Sequence, residues 1–294
     1  MKILSIHGIT KSYGRIEAIK NLDLEVEPGQ VYGILGPNGS GKTTTLSIVL
    51  GIIRQDKGMF QWFDGKYGRS VRTRLGALLE TPNFYPYLDA DDNLGIIRHI
   101  KRSHESDFSE LLELVQLSDR RKSKFISYSL GMRQRLAIAA ALVGDPEVLI
   151  LDEPTNGLDP EGIADVRSTI SDIASMGKTI IMASHMLDEV EKVCTHVAIL
   201  KKGELLTHGP VGAILSDEIT VEVGSVDLSR LEQALHSFEG VSNIIRKMNF
   251  FEISVSANFD VGAMNLELMN KGIVANHLQK KRHSLEDEFL EIIK

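Results

Sequence analysis

The sequence predicts an α/β fold: a mainly parallel central sheet with an antiparallel N-terminal β subdomain and a helical insertion, followed by a small α+β domain. Three observations carry this. Residues 31–35, 148–151 and 179–183 are apolar without alternation, as strands buried on both faces of a parallel sheet are. Helical spacing returns after each of the first two, in residues 42–50 and beyond Pro160. Past Gly209-Pro210 the pattern changes to short strands and helices in the order β-α-β-β-α-β-α, a split-βαβ, ferredoxin-like arrangement. The expected domains are residues 1–212, with a helical part at about 84–145, and residues 217–294.

Taken in order, residues 2–9 and 19–26 alternate as strands, and Tyr13 falls on the connection between them. Pro28-Gly29 turns the chain into the strand at 31–35, and the helix that follows ends at Gly51. Residues 54–68 read as a turn-rich hairpin, and residues 75–79 as a short strand ending at Glu80. The loop Asn83-Phe84-Tyr85-Pro86-Tyr87-Leu88 is unusually aromatic, which marks a contact surface or a loop packed on its own helical subdomain. Residues 90–117 have helical spacing broken by a polar stretch, and Ser129 is the natural N-cap of the next helix. Residues 197–200 and 204–208 form a hairpin around Lys202-Gly203. In the C-terminal domain, strands are expected at 218–223, 241–246, 250–255 and 273–278, and helices at 228–238, 261–269 and 284–293.

The chain has 294 residues, 43% of them hydrophobic and 25% charged, an ordinary globular balance that allows a sizeable core. A formal net charge of −7 gives no electrostatic reason to expect a nucleic-acid partner. Cys194 is the one cysteine, so neither an intrachain disulfide nor a cysteine metal cluster forms, and a reducing compartment is expected. The start lacks a signal-peptide pattern, and no apolar run approaches the roughly 18 residues of a membrane span. A cytoplasmic protein is expected, held at a membrane only through a partner.

The most specific motif is Gly36-Pro37-Asn38-Gly39-Ser40-Gly41-Lys42-Thr43-Thr44. Its glycines lack a Cβ that would keep the backbone from an anion, and the following helix directs its positive end at the same place. Lys42 adds a point charge for β- and γ-phosphates, and the Thr43 hydroxyl is placed for Mg²⁺. The pattern predicts binding of a nucleoside triphosphate. Asp152 and Glu153 end the strand at 148–151, and ionised groups there are costly unless solvated, paired or bound to metal. Of nine histidines, His185 alone follows such a strand; in isolation it reads as a hydrogen-bonded core histidine.

Residues 1–210 closely resemble the nucleotide-binding subunit of an ABC transporter, a P-loop NTPase ABC cassette. An ordered series carries the resemblance: the glycine loop, Glu80, then Tyr128-Ser129-Leu130-Gly131-Met132-Arg133-Gln134, Asp152-Glu153, Asp159 and His185. The resemblance implies that Tyr13 stacks on adenine, a role a loop tyrosine would not otherwise suggest. It implies that Lys42 and the loop backbone hold the β- and γ-phosphates of ATP, and Thr44 the α-phosphate. Thr43, Asp152 and Glu80 would bind Mg²⁺, Glu153 would be general base, and His185 would hold the γ-phosphate. Ser129 and Gly131 would reach the nucleotide of another subunit, with Asp159 connecting the halves. A homodimer or pseudo-dimer of cassettes, docked on an integral-membrane permease, follows from the resemblance.

Two motifs depart from the family pattern. The usual Leu-Ser-Gly-Gly-Gln reads Tyr128-Ser129-Leu130-Gly131-Met132, and the usual glutamine is Glu80. A carboxylate only accepts hydrogen bonds and carries charge, so coupling should depend more strongly on Mg²⁺; unchanged dependence in Glu80→Gln would refute this. Together these features are similar to the bacitracin-export and lantibiotic self-protection group, which pairs with separately encoded permeases. The implied activity is ATP hydrolysis driving export of a hydrophobic or peptide substrate. A membrane-complex ATPase doing mechanical or regulatory work, and a soluble ABC ATPase acting on ribosomes or DNA, are the alternatives.

Overall fold

Alternating apolar side chains build the N-terminal sheet in this computed structural model, which describes residues 1–79, 83–104, 107–214, 218–256 and 258–282. Strand β1 (Leu4–Tyr13) pairs antiparallel with β2 (Ile16–Val26), burying Ile6 and Ile9 together with Leu22, Leu24 and Val26. Tyr13 therefore ends a strand, opposite Ile16, and does not lie on a connection between strands. The apolar run Val31–Leu35 (β3) leaves for a second sheet and feeds helix α1 (Lys42–Val49). Strand β4 (Lys57–Trp62) then returns to the free edge of β1, giving the order β2-β1-β4. The segment expected to be a hairpin at 54–68 is thus one strand followed by 3₁₀ turns at Phe63–Gly65 and Gly68–Arg74. Long-range contacts decide this: Leu4 pairs with Trp62, and the Trp62 indole N–H donates to the Val49 carbonyl at 2.8 Å.

Strand β5 (Leu75–Leu78) precedes the helical part, α2 (Ala90–Lys101), α3 (Ser109–Leu114) and α4 (Leu130–Leu142). Asp89 caps α2 by accepting from the Asp92 N–H, and Ser129 caps α4 from the Met132 N–H, as their short acceptor side chains predict. Helix α4 packs against α2, α3 and β5, which is why Leu136 to Leu142 are buried all round. Its C-terminal carbonyls are gathered by one side chain. Lys101 Nζ donates to the carbonyls of Ala140, Ala141 and Val143 at 3.2, 2.8 and 2.9 Å. Charge-assisted bonds at a helix C-terminus stabilise. Lys101→Met is expected to cost about 2 kcal/mol, read as a lower urea midpoint with an unchanged slope.

The remaining elements of the first unit are β6 (Val148–Asp152), α5 (Pro160–Ser175), β7 (Thr179–Ser184), α6 (Leu187–Val193), β8 (His196–Lys201) and β9 (Glu204–Pro210), and the single turn α7 (Val211–Ile214) follows at the boundary. The second sheet has the order β5-β6-β7-β3-β8-β9, parallel except for β9. Every residue of β3, β6 and β7 is buried. Their C-terminal ends are level, with Leu35 beside Ser184 and Asp152 beside Ala183. Chain leaving these three ends converges on one crevice, where open α/β sheets bind ligands.

The chain divides into two compact units, Met1–Val211 and Gly212–Lys294. In the second, β10 (Glu218–Ser225), α8 (Leu228–Leu235), β11 (Val241–Arg246), β12 (Phe251–Ser256), α9 (Val261–Asn270) and β13 (Ala275–Arg282) form an antiparallel sheet ordered β11-β12-β10-β13. Val221, Val223, Phe251 and Ile253 pack with Leu231, Leu235, Met264 and Leu268 of the two helices. The helix expected at 284–293 lies outside the described residues. Glu222 is buried; its carboxylate accepts from Lys281 Nζ and from His277 Nε2, and these two bonds hold it below the usual carboxylate range. A carboxyl lowered in the folded state stabilises above its unfolded pKa of about 4.3, and that contribution is lost as pH falls through the folded value. Glu222→Gln should therefore flatten the acid limb of a stability–pH curve for this unit and leave the slope above pH ~6 unchanged.

Candidate functional site

The glycine loop follows β3, and its glycines have different tasks. Gly36 has φ 156°, and a Cβ there would stand 2.2 Å from the Leu200 carbonyl oxygen. Gly41 has φ 109°, and a Cβ would stand 2.5 Å from the Ala18 carbonyl oxygen. Both seat the loop against the ends of its neighbours. Gly39 alone of the three has nothing within 4 Å of a Cβ. Pro37 and Asn38 beside it are exposed, while Ser40 is buried and its carbonyl accepts from the Gly203 N–H at 3.0 Å. Helix α1 has Gly41 at its N-cap and no side-chain cap, so no side chain there competes with an anion for the first amides. Thr43 is exposed at this helix start and Thr44 is half-buried.

Three residues from three elements meet at the crevice. Lys42 is 5% exposed, and its Nζ donates to the Gly36 and Pro37 carbonyls at 2.7 and 3.4 Å. The same ammonium lies 3.3 Å from Glu153 Oε1. Glu153 Oε2 accepts from His185 Nδ1 at 2.7 Å and from the His185 N–H at 3.3 Å. His185 is thus hydrogen-bonded, as an isolated reading predicts, but to the acid of another motif and with its side chain 39% exposed. Glu153 has φ +48°, a left-handed conformation costing about 1–3 kcal/mol for a non-glycine residue, typical of residues held in place for function. Asp152, 5% exposed, precedes it at the end of β6.

A second cleft, of about 440 Å³, gathers Ser129, Leu130, Gly131, Gly157, Leu158 and Asp159 among its lining. Two helices begin here. Ser129 caps α4, and Asp159 caps α5 by accepting from the Gly162 N–H at 3.1 Å. Gly131 approaches α5 closely: a Cβ on it would be 3.6 Å from Gly162 Cα. Tyr13 lies at the end of β1 on the N-terminal sheet, 46% exposed, with Lys11 Nζ 5.5 Å from its ring centre. Glu80 falls outside the described residues. In the aromatic loop, Phe84 is half-buried with its ring 5.1 Å from Phe125, whereas Tyr85 and Tyr87 are exposed. Phe84 thus packs on the helical part, while the two tyrosines face outward.

A profile described as ABC transporter matches residues 19–156. The bacitracin transport ATP-binding protein of Enterococcus faecalis is 32% identical, over 99% of this chain and 96% of that one. The chain belongs to the ABC transporter ATP-binding family. It is an ABC ATPase subunit that binds ATP. A lantibiotic transport ATP-binding protein of Streptococcus pyogenes is 36% identical over 69% of this chain and 89% of that one. Among solved structures, a dimeric ATP-binding cassette in a post-hydrolysis state with ADP and Pi superimposes with a TM-score of 0.63 at 25% identity, covering 71% of this chain and 98% of that chain. The ABC cassette accounts for the N-terminal sheet, the parallel sheet and the helical part together. No helix among the described residues is long and apolar enough to cross a membrane.

Sequence reasoning missed the support of this site. Gly203 and Leu200, on the β8–β9 side, hold the glycine loop from behind, and Lys202-Gly203 gave the only hint. The Lys42–Glu153 ion pair joins motifs 111 positions apart (153 − 42), which no periodicity reveals.

Proposed function

We propose that the crevice at β3, β6 and β7 hydrolyses MgATP, and that two cassettes complete each site and drive a separately encoded membrane permease. The Lys42–Glu153–His185 constellation carries this reading, because it joins a phosphate-binding cation to a carboxylate and the histidine that orients it. Lys42 and the α1 amides would hold the β- and γ-phosphates, and Thr44 the α-phosphate. Glu153 would take a proton from the attacking water, with His185 fixing the carboxylate and facing the γ-phosphate. Tyr13, exposed on its strand, offers a face for adenine.

Thr43 and Asp152 are hard oxygen donors of the kind Mg²⁺ takes, and Glu80 would join them. No group of three or more His, Cys, Asp or Glu able to hold a metal occurs among the described residues, which suits an ion held largely by substrate phosphates. Bound there, Mg²⁺ would neutralise charge on the phosphates. Ser129 and Gly131, at the start of α4, would meet the nucleotide of the opposite cassette.

The cargo would be a hydrophobic or peptide, antibiotic-like substrate that is exported, with the chain peripheral at the inner membrane face through its permease; the names of two relatives, bacitracin and lantibiotic transport ATP-binding proteins, support the antibiotic-like part of this reading. The permease would dock on Tyr85, Tyr87 and Ile126, which are 50%, 63% and 66% exposed and joined by the Ile126 N–H bond to the Pro86 carbonyl. The C-terminal unit, with its sheet order β11-β12-β10-β13, is read as ferredoxin-like and accessory. Purification from native membranes tests the assignment by the permease it brings along. Replacing Tyr85 and Tyr87 together by alanine should lower permease recovery by about tenfold with ATP binding intact; unaltered recovery refutes the docking site.

A further inference from the structure

A 3₁₀ turn, Phe125–Ser127, stands between the aromatic loop and the start of α4, and its backbone groups are shared between the two. Its N–H groups go to the loop: Phe125 donates to the Leu88 carbonyl and Ile126 to the Pro86 carbonyl, each at 2.9 Å. The Phe84 ring packs on Phe125 from the same side. The carbonyls of Ile126 and Tyr128 go the other way, to Arg133 of α4. Arg133 Nη2 donates to the Ile126 carbonyl at 3.3 Å, and Nε to the Tyr128 carbonyl at 3.0 Å. The guanidinium carbon also lies 5.2 Å from the centre of the Phe125 ring. Between turn and helix the chain is extended, with ψ 135° at Tyr128 and ψ 165° at Ser129. Two extended residues make a joint with no hydrogen-bonded turn of its own, and Arg133 spans it. A guanidinium suits this place, because its planar fork serves two carbonyls while its face rests on an aromatic ring.

We infer that Arg133 is a positioning residue that braces this joint, so that the exposed Tyr85, Tyr87 and Ile126 and the Ser129 end of α4 respond together. Pairing of two cassettes on ATP is then felt at the permease-facing loop, and by linkage a docked permease is felt at Ser129. Arg133 touches neither nucleotide nor permease; it acts through the turn on one side and the helix start on the other. The inference rests on the proposed docking surface and on the proposed meeting of Ser129 with the opposite nucleotide.

Amide exchange in the full chain tests this without the permease, in a Glu153→Gln background that should pair on MgATP. With Arg133 present, exchange of the Ile126 amide should be about tenfold slower in MgATP than in ADP. Arg133→Met keeps a long helix-compatible side chain and removes both donors. That chain should still double its mass on MgATP, while its Ile126 exchange stays within about twofold in the two nucleotides. Arg133→Gln, too short to reach both carbonyls, takes its place in the same comparison if the methionine variant does not fold. Exchange that still slows about tenfold without the arginine overturns the inference. So does a folded variant that no longer pairs, since Arg133 would then build the pairing surface itself. Two further outcomes separate the layers. If the Glu153→Gln chain does not pair on MgATP, the reading of the site fails and the inference with it; if it pairs and Ile126 exchange does not slow, only the inference fails.

Discussion

Glu153→Gln is expected to lower MgATP turnover by about a thousandfold while nucleotide still binds. The substitution preserves side-chain size and leaves an oxygen that can accept from the His185 N–H, now 3.3 Å from Glu153 Oε2. What it removes is the basic carboxylate and the negative charge 3.3 Å from Lys42 Nζ. Without that charge the ammonium has less competition for phosphate, so affinity for ATP should hold or rise. Phosphate release and titration with a fluorescent nucleotide measure the two effects separately. Turnover within about tenfold of the native rate would mean that another group takes the proton.

Gly36→Ala is expected to abolish nucleotide binding and to destabilise the first unit by about 3 kcal/mol, combining overpacking with a left-handed conformation. The added carbon would meet the Leu200 carbonyl oxygen at 2.2 Å and Ser40 Oγ at 2.5 Å, and the first of these is backbone that cannot swing aside. Gly39→Ala is the informative contrast. Its φ of +78° carries strain of about 1 kcal/mol, yet nothing stands within 4 Å, so stability should fall little. Trp62 is the chain's one tryptophan and packs on α1 through its bond to Val49, so its fluorescence follows unfolding of this unit. Equal midpoints for the two variants would contradict the assignment of loop seating to Gly36.

The parallel sheet was legible because its strands are continuous apolar runs, and the phosphate loop because its spacing is specific. Ser129 was legible as a cap because capping is local, set within three residues of Met132. Residues 54–68 were misread for the opposite reason, since their conformation is decided by pairing with a distant strand, Trp62 with Leu4; Tyr13 was misplaced because β2 begins at Ile16, earlier than its apolar pattern suggests, and pairs with it directly across a tight turn. Lys101 under α4 is likewise a contact between distant positions, which leaves no periodicity behind. Phe84 illustrates a subtler limit. Composition marked the loop as a contact surface, but only geometry separates the ring packed on Phe125 from the two tyrosines left outside.

The central claim is that this chain holds half of each ATP site and needs a second cassette to complete it. Sedimentation of the Glu153→Gln chain tests that most directly, because slowed hydrolysis should trap the closed pair. With MgATP the mass should double, with ADP it should not, and adding Ser129→Arg should return it to that of one chain. A Glu153→Gln chain that binds ATP to saturation and sediments as a single chain would contradict the account.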